Sequence, residues 1–213
     1  MGMTRSSNDG GLQLPDPETP LVIWQDGVCR TATDLSGIAI FPGAFNPIHD
    51  GHRQLRQAAA EFLGCPVLFE LSVCNAEKRS LTAAEVSRRL RQISDSRVLL
   101  TNAALFVDKA SLFPGCWFVV GFDTAERILD PKYYDENMPR RDQSLRDLRS
   151  ANVRFLVAGR VAWPQLCAEF RTSDQLVVDH EFKDLFVGLP ETCFRSDISS
   201  TAIRRQRAAG CTE

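Results

Sequence analysis

Histidine is scarce in this chain of 213 residues, which has 3; tryptophan (3) is as rare and tyrosine (2) rarer. Neither sign of charge dominates: 25 Lys and Arg face 27 Asp and Glu, a formal net charge of −2. That balance excludes a general pull on nucleic acid or anionic lipid. A basic face interleaved with aromatics is missing as well, so neither a nucleic-acid nor a membrane partner is expected. The longest dense apolar run, Cys116 to Phe122, is far too short to cross a bilayer. The 7 cysteines (Cys29, Cys65, Cys74, Cys116, Cys167, Cys193 and Cys211) are odd in number and form no CxxC pair. This argues against a disulfide framework and for a reducing compartment. Met1 to Pro20 has no apolar stretch of signal-peptide type, so a cytoplasmic location is expected.

What the chain does have is enough length to bury roughly 70% of the surface its extended form exposes. Residues 1–20, rich in Ser, Asn, Asp, Gly and Pro, read as a disordered or loosely attached segment, and residues 21–213 as one domain. Leu21 to Trp24 reads as a short strand with Gln25-Asp26-Gly27 as its turn. From Gly37 onward strands and helices alternate. Strands are expected at Ile38–Phe41, Val67–Val73, Val98–Thr101, Cys116–Gly121, Val153–Ala158 and Gln175–Val178. Helices are expected from Asp50 to Phe62, after the capping box Thr82-Ala83-Ala84-Glu85, over Ala103–Ala110, from near Arg140, and from near Ser199. Strands apolar on both faces and alternating with helices indicate a doubly wound α/β domain with a parallel sheet of Rossmann-like type.

The segment Phe41 to His52 lies between an expected strand and an expected helix, at the carboxyl edge of the sheet, where open α/β folds take ligands. Gly43 would let backbone N–H groups come close to a phosphate, and the helix start offers unpaired N–H groups and a positive dipole end. His49 and His52 are three residues apart and can face one side of that start. Two imidazoles there can donate to phosphate oxygens whose charge grows as pyrophosphate leaves. Asn46 is placed to orient an attacking group or a phosphate. Two histidines alone lack the further ligands that structural zinc needs, so no metal-ligating residues are assigned.

A second phosphate site is expected at Ile198-Ser199-Ser200-Thr201, where hydroxyls and free N–H groups open a helix and Arg204 sits one turn on. Between the two, Asp123-Thr124-Ala125-Glu126 has the form of a capping box. Lys78 or Arg79, in the loop after Val73, is placed either to neutralise a phosphate or to lie in a solvated polar loop. Trp163 is a candidate for stacking on a base.

The run Gly43-Ala44-Phe45-Asn46-Pro47-Ile48-His49-Asp50-Gly51-His52 resembles the HxGH signature of class I nucleotidyltransferases, and its fuller form is most similar to the nicotinate and nicotinamide mononucleotide adenylyltransferases. Ile198-Ser199-Ser200-Thr201-Ala202-Ile203-Arg204 resembles the ISSTxIR signature late in the same enzymes. The resemblance runs from about Gly37 to Arg207. It implies that ATP is bound with Mg²⁺, that Gly43, Ala44, Phe45, Asn46, Gly51 and Ile198 to Thr201 hold the nucleotide, and that His49, His52, Lys78 and Arg204 serve the transfer. It further implies nucleotide contacts at Gly121 and Asp123 and an arginine role at Arg160, the last also readable as a strand-end arginine. The Pro-Pro-His-Lys segment of bacterial nicotinate enzymes is absent here, which leaves the phosphorylated acceptor, such as a mononucleotide, open. Transfer from ATP or CTP to another acceptor, or a nucleotide-binding module without catalysis, are the alternatives. Oligomeric state is also open, a homo-oligomer included.

Overall fold

The computed structural model of the chain describes residues 12–31, 35–74, 79–93, 97–161, 170–196 and 203–204. The strands that the apolar pattern marks as buried on both faces form the inner part of one eight-stranded sheet. In chain order the sheet's strands begin with β1 (Leu21–Gln25), β2 (Val28–Thr31), β3 (Ala39–Pro42), β4 (Val67–Ser72), β5 (Val98–Thr101), β6 (Trp117–Gly121) and β7 (Arg154–Ala158). A small ribbon of β8 (Arg160–Val161) and β9 (Phe170–Arg171) stands apart, and β10 (Phe186–Leu189) returns to the main sheet. The order is β10-β7-β6-β3-β4-β5-β1-β2. From β5 to β10 every pairing is parallel, and β1 joins β5 antiparallel.

The β1–β2 hairpin follows from its turn: Asp26 and Gly27 both take positive φ (52° and 83°), the conformation that a two-residue hairpin requires. Residues 12–20 carry no strand or helix, but Leu12 and Leu14 pack against the core and the Cys29 thiol donates to the Gln13 carbonyl at 3.3 Å.

Helices α1 (Asp50–Leu63) and α2 (Ala83–Leu90) connect β3, β4 and β5. They bury Leu55, Ala59, Val86 and Leu90 in one apolar cluster with Phe69 and Leu71 of β4. Helices α3 (Phe106–Leu112), α4 (Phe122–Leu129) and α5 (Met138–Ser150) bury Ala110, Ala125, Ile128, Leu145 and Leu148 in a second cluster, with Ile40, Phe118 and Phe155. The side chains of successive strand residues alternate between these clusters, Phe69 and Leu71 in the first and Leu68 in the second. The sheet is therefore covered on both sides and doubly wound, as expected. The winding reverses between β3 and β6, and the crevice beyond their carboxyl ends is where such sheets bind ligands.

Three local expectations need correction. Gln175–Val178 is not a strand: Ser173–Gln175 is a 3₁₀ turn, Val177 is exposed, and the edge position is taken by β10. Asp123 does not cap α4. The helix begins two residues earlier than such a cap would allow, at Phe122 with Gly121 as its N-cap, because the strand runs straight into it. The short helix after β5 starts at Phe106 rather than Ala103, the intervening residues being drawn into contacts with the sheet edge: the Ala103 carbonyl accepts from Ser72 and Lys109. The capping box at Thr82 and Glu85 forms as expected, each partner accepting from the other's backbone N–H. Among the described residues no helix is long and apolar enough to cross a membrane.

Candidate active site

The loop from Pro42 to His49 leaves β3 at the point where the winding reverses, and its shape is set from below by Phe45. That ring is buried, edge-on to Phe41, Phe69 and His52 at centroid distances of 5.8, 4.9 and 5.3 Å. To place it there the backbone at Phe45 takes φ +43°, rare for a bulky residue and held by the ring's burial. A Cβ on Gly43 would lie 2.5 Å from the same ring. Glycine is thus required at 43 by the ring packed beneath it, whatever approaches from above. Phe45, expected as a nucleotide contact, is an anchor for the loop, its side chain turned into the core.

His49 is the N-cap of α1, and its own N–H donates to Nδ1 of His52 at 3.2 Å. The two imidazoles stack, with centroids 3.7 Å apart. An accepting Nδ1 leaves the proton of neutral His52 on Nε2, so this ring offers one N–H donor. Burial, reinforced by the neighbouring His49, pushes the His52 pKa down to about 3. Burial also holds His49 below the usual imidazole range, partly offset by Asp50. Both rings are therefore neutral donors at physiological pH. Nδ1 of His49 is buried without a hydrogen-bond partner among the described residues.

The end of the chain comes back to this loop at two places. A Cβ on Gly51 would meet Ser196 Oγ at 2.6 Å, so Ser196 lies directly against the start of α1. Arg204 Nη1 donates to the Asn46 carbonyl at 2.6 Å. These two residues flank Ile198, Ser199, Ser200 and Thr201, which lie outside the described residues, as do Lys78 and Trp163. Of the later motif, Arg204 thus meets the loop before α1, and the nearby Ser196 meets the start of that helix.

Two clefts open on either side of the Pro42–Gly43 strip, and both residues line both clefts. The smaller, of about 310 Å³, lies over β3, β6 and β7 and takes in His49, His52, Gly121, Gly159 and Arg160. The larger, of about 610 Å³, lies over β3, β4 and α3 and takes in Asn46, Glu70, Arg89, Lys109 and Arg204. Of the expected residues, His49, His52, Gly51, Gly121 and Arg160 thus share the first cleft, and Ala44, Asn46 and Arg204 the second. Asp123 lines neither: its carboxylate is bound by the Arg160 guanidinium, and it faces a third hollow beside Glu126 and Arg171. Arg160 is correspondingly occupied by Asp123.

Several contributors escape a reading of motifs. Arg88 donates from both Nη atoms to Asn46 Oδ1, each at 3.1 Å, and the largely buried Arg89 donates to the Ala44 carbonyl at 2.9 Å. The last turn of α2 therefore clamps the loop. On the floor of the larger cleft Glu70, 1% exposed, and Lys109, 4% exposed, form an ion pair at 2.7 Å. Thr101 Oγ1 donates to the same carboxylate oxygen, and Lys109 also donates to the Ala103 carbonyl at 2.9 Å. The one signal for this pair was a glutamate in the middle of the mostly apolar strand pattern at Val67–Val73. Among the described residues no group of three or more His, Cys, Asp or Glu is placed to hold a metal ion.

Comparison with known proteins agrees with this geometry. Residues 40–206 match a family model described as cytidylyltransferase-like, which spans both histidines and Arg204. A 114-residue stretch is 32% identical to a Schizosaccharomyces pombe protein named "Putative nicotinamide mononucleotide adenylyltransferase". That match covers 46% of this chain and 45% of the relative, so under half of the relative's length is represented.

Proposed function

We propose an adenylyl transfer for this chain, which belongs to the cytidylyltransferase-like family of nucleotidyltransferases: ATP and a nicotinamide or nicotinate mononucleotide are joined, and pyrophosphate is released. The observation that carries the reading is the pair of clefts meeting at Gly43, one lined by two neutral imidazoles and the other by arginines. ATP is assigned to the smaller cleft and the phosphorylated acceptor to the larger. The name of the yeast relative supports a mononucleotide acceptor.

In this reading the acceptor's 5′-phosphate oxygen attacks the α-phosphate in line, and the bond to the β-phosphate oxygen breaks. The attacker is already anionic, so no general base is needed. Catalysis consists of positioning and of donors that meet growing charge on the departing pyrophosphate. His52 supplies Nε2–H, fixed by the hydrogen bond at its other nitrogen. A neutral donor is suited here, because it costs no deprotonation to reset after release. Arg204 and the loop clamped by Arg88 and Arg89 hold the acceptor phosphate against Gly43. Magnesium fits this site as a passenger of the triphosphate, since hard cations of its kind are held by phosphates and water with few protein ligands; it would neutralise charge on the phosphates.

The test is pyrophosphate release from ATP and from CTP against a panel of phosphorylated acceptors. Release is expected with ATP and a pyridine mononucleotide. Release only with CTP, or only with a sugar or alcohol phosphate, would reassign the substrate. Tight ATP binding without release for any acceptor would make the chain a binding module.

A further inference from the structure

The floor of the larger cleft holds a polar group that folding alone leaves unfinished. Glu70 is a charged residue on a central strand, and its Oε1 is fully engaged by Lys109 and Thr101. Its Oε2 is buried with no hydrogen-bond partner among the described residues. A carboxylate oxygen left so is costly, and the usual remedy is a donor. Beside it, Lys109 Nζ has three protons, of which two are taken, by Glu70 Oε1 and the Ala103 carbonyl. Among the described residues the pair thus keeps one unmatched acceptor, Glu70 Oε2, and one Lys109 proton without an acceptor, side by side beneath the cleft. Both residues line the cleft, whose neighbouring wall includes Leu71 and Ala104, while its rim carries the exposed Arg79 and Arg204.

This gradient orients an occupant. Its phosphate belongs at the cationic rim, next to Asn46, and its ring belongs at the buried floor. We propose that Glu70 and Lys109 read the substituent on the acceptor's ring and select a carboxamide over a carboxylate. The inference rests on the assignment of the mononucleotide to this cleft. A carboxamide offers an N–H₂ to Glu70 Oε2 and a carbonyl to Lys109, matching both. A ring carboxylate has no proton for Oε2 and sets its own negative charge against it. A site with a buried polar group rejects the partner that leaves it unpaired far more strongly than an apolar pocket rejects a change of size.

The test is the ratio of kcat/KM for nicotinamide mononucleotide to that for nicotinate mononucleotide, with ATP, in the wild type and in Glu70→Gln. A ratio taken on one preparation is independent of the fraction folded. The wild type is expected to favour the amide by roughly tenfold to a hundredfold, as for one hydrogen bond to a charged group. Glu70→Gln removes the charge and can turn an N–H₂ toward the substituent, so the ratio should fall at least about tenfold. Should that variant not fold, Glu70→Leu with Lys109→Met replaces the pair by apolar groups, an exchange that buried ion pairs often tolerate, and must also lose the discrimination. Equal use of the two acceptors by the wild type, a preference for the acid, or an unchanged ratio in these variants would overturn the inference while leaving the transfer reaction standing. Calorimetric binding of the two mononucleotides reads the same ratio without turnover. A chain that transfers to neither but binds the amide form better keeps this inference and loses the proposed reaction; equal binding overturns the inference.

Discussion

The two clefts that meet at Gly43 are built in opposite ways. The smaller takes half of its lining from one stretch, Phe41 to Leu55, whose two imidazoles are held by one another, and the rest from the ends of β6 and β7 and from Phe194 and Ser196. The larger is assembled from residues scattered between Pro42 and Arg204, most of its polar groups charged, with an ion pair at its base. The first arrangement suits a task that never varies, the stabilisation of a departing polyphosphate. The second suits a choice among acceptors, because each wall can change without disturbing the others. In the proposed reading, chemistry and selectivity are thereby separated by the strip Pro42–Gly43.

The sharpest way to break this comparison is His52→Ala. Loss of a preorganised donor to developing charge is expected to lower kcat by on the order of 10² to 10³. KM for the acceptor should change little, since His52 lies in the other cleft. Steady-state pyrophosphate release, with circular dichroism to check the fold, reads both. An unchanged kcat would remove His52 from the chemistry.

A smaller effect concerns stability. His52 titrates at about 3 in the folded protein and near 6.5 when unfolded. Between those values the unfolded chain binds a proton that the folded one refuses. Its contribution is therefore intact above about pH 6.5 and is lost progressively as pH falls toward 3, about 2 kcal/mol of it by pH 5. Thermal melts at pH 7 and pH 5 should show a smaller acid-induced drop in Tm for His52→Asn than for the wild type. Parallel drops would mean that the imidazole is not held neutral by the fold.

The smallest expected change sharpens the view of α2 as a clamp. Arg88 is exposed and donates to the side chain of Asn46 in the loop. Arg88→Ala should lower kcat/KM for the acceptor severalfold, the scale of one charge-assisted hydrogen bond, and leave Tm nearly unchanged. An equal loss for ATP would mean that Arg88 supports both clefts.

The same contrast explains what could be read from sequence. The smaller cleft was legible because its spacing is local: a buried strand, a glycine loop and two histidines at a helix start are contiguous between Phe41 and His52. Strand periodicity gave the parallel sheet for the same reason, Val98 to Leu100 and Trp117 to Val120 being unbroken apolar runs. The floor of the larger cleft was not legible, because Glu70 and Lys109 meet only once β4, β5 and α3 are stacked, and no local pattern encodes that pairing. Asp123 misled because its spacing to Glu126 fits a capping box equally well, and only the continuity of β6 into α4 shows that the helix has already begun. Gln175–Val178 misled because an exposed valine and a buried one look alike in a short run.

The account depends on the α-phosphorus changing partners across the Gly43 strip. Incubation with ATP labelled at the α-phosphate and a pyridine mononucleotide, followed by separation of the products, tests this directly. All consumed label is predicted to appear in the dinucleotide, with unlabelled pyrophosphate in equal amount. Label found in free AMP or ADP, with the acceptor unchanged or carrying a γ-phosphate, would contradict it.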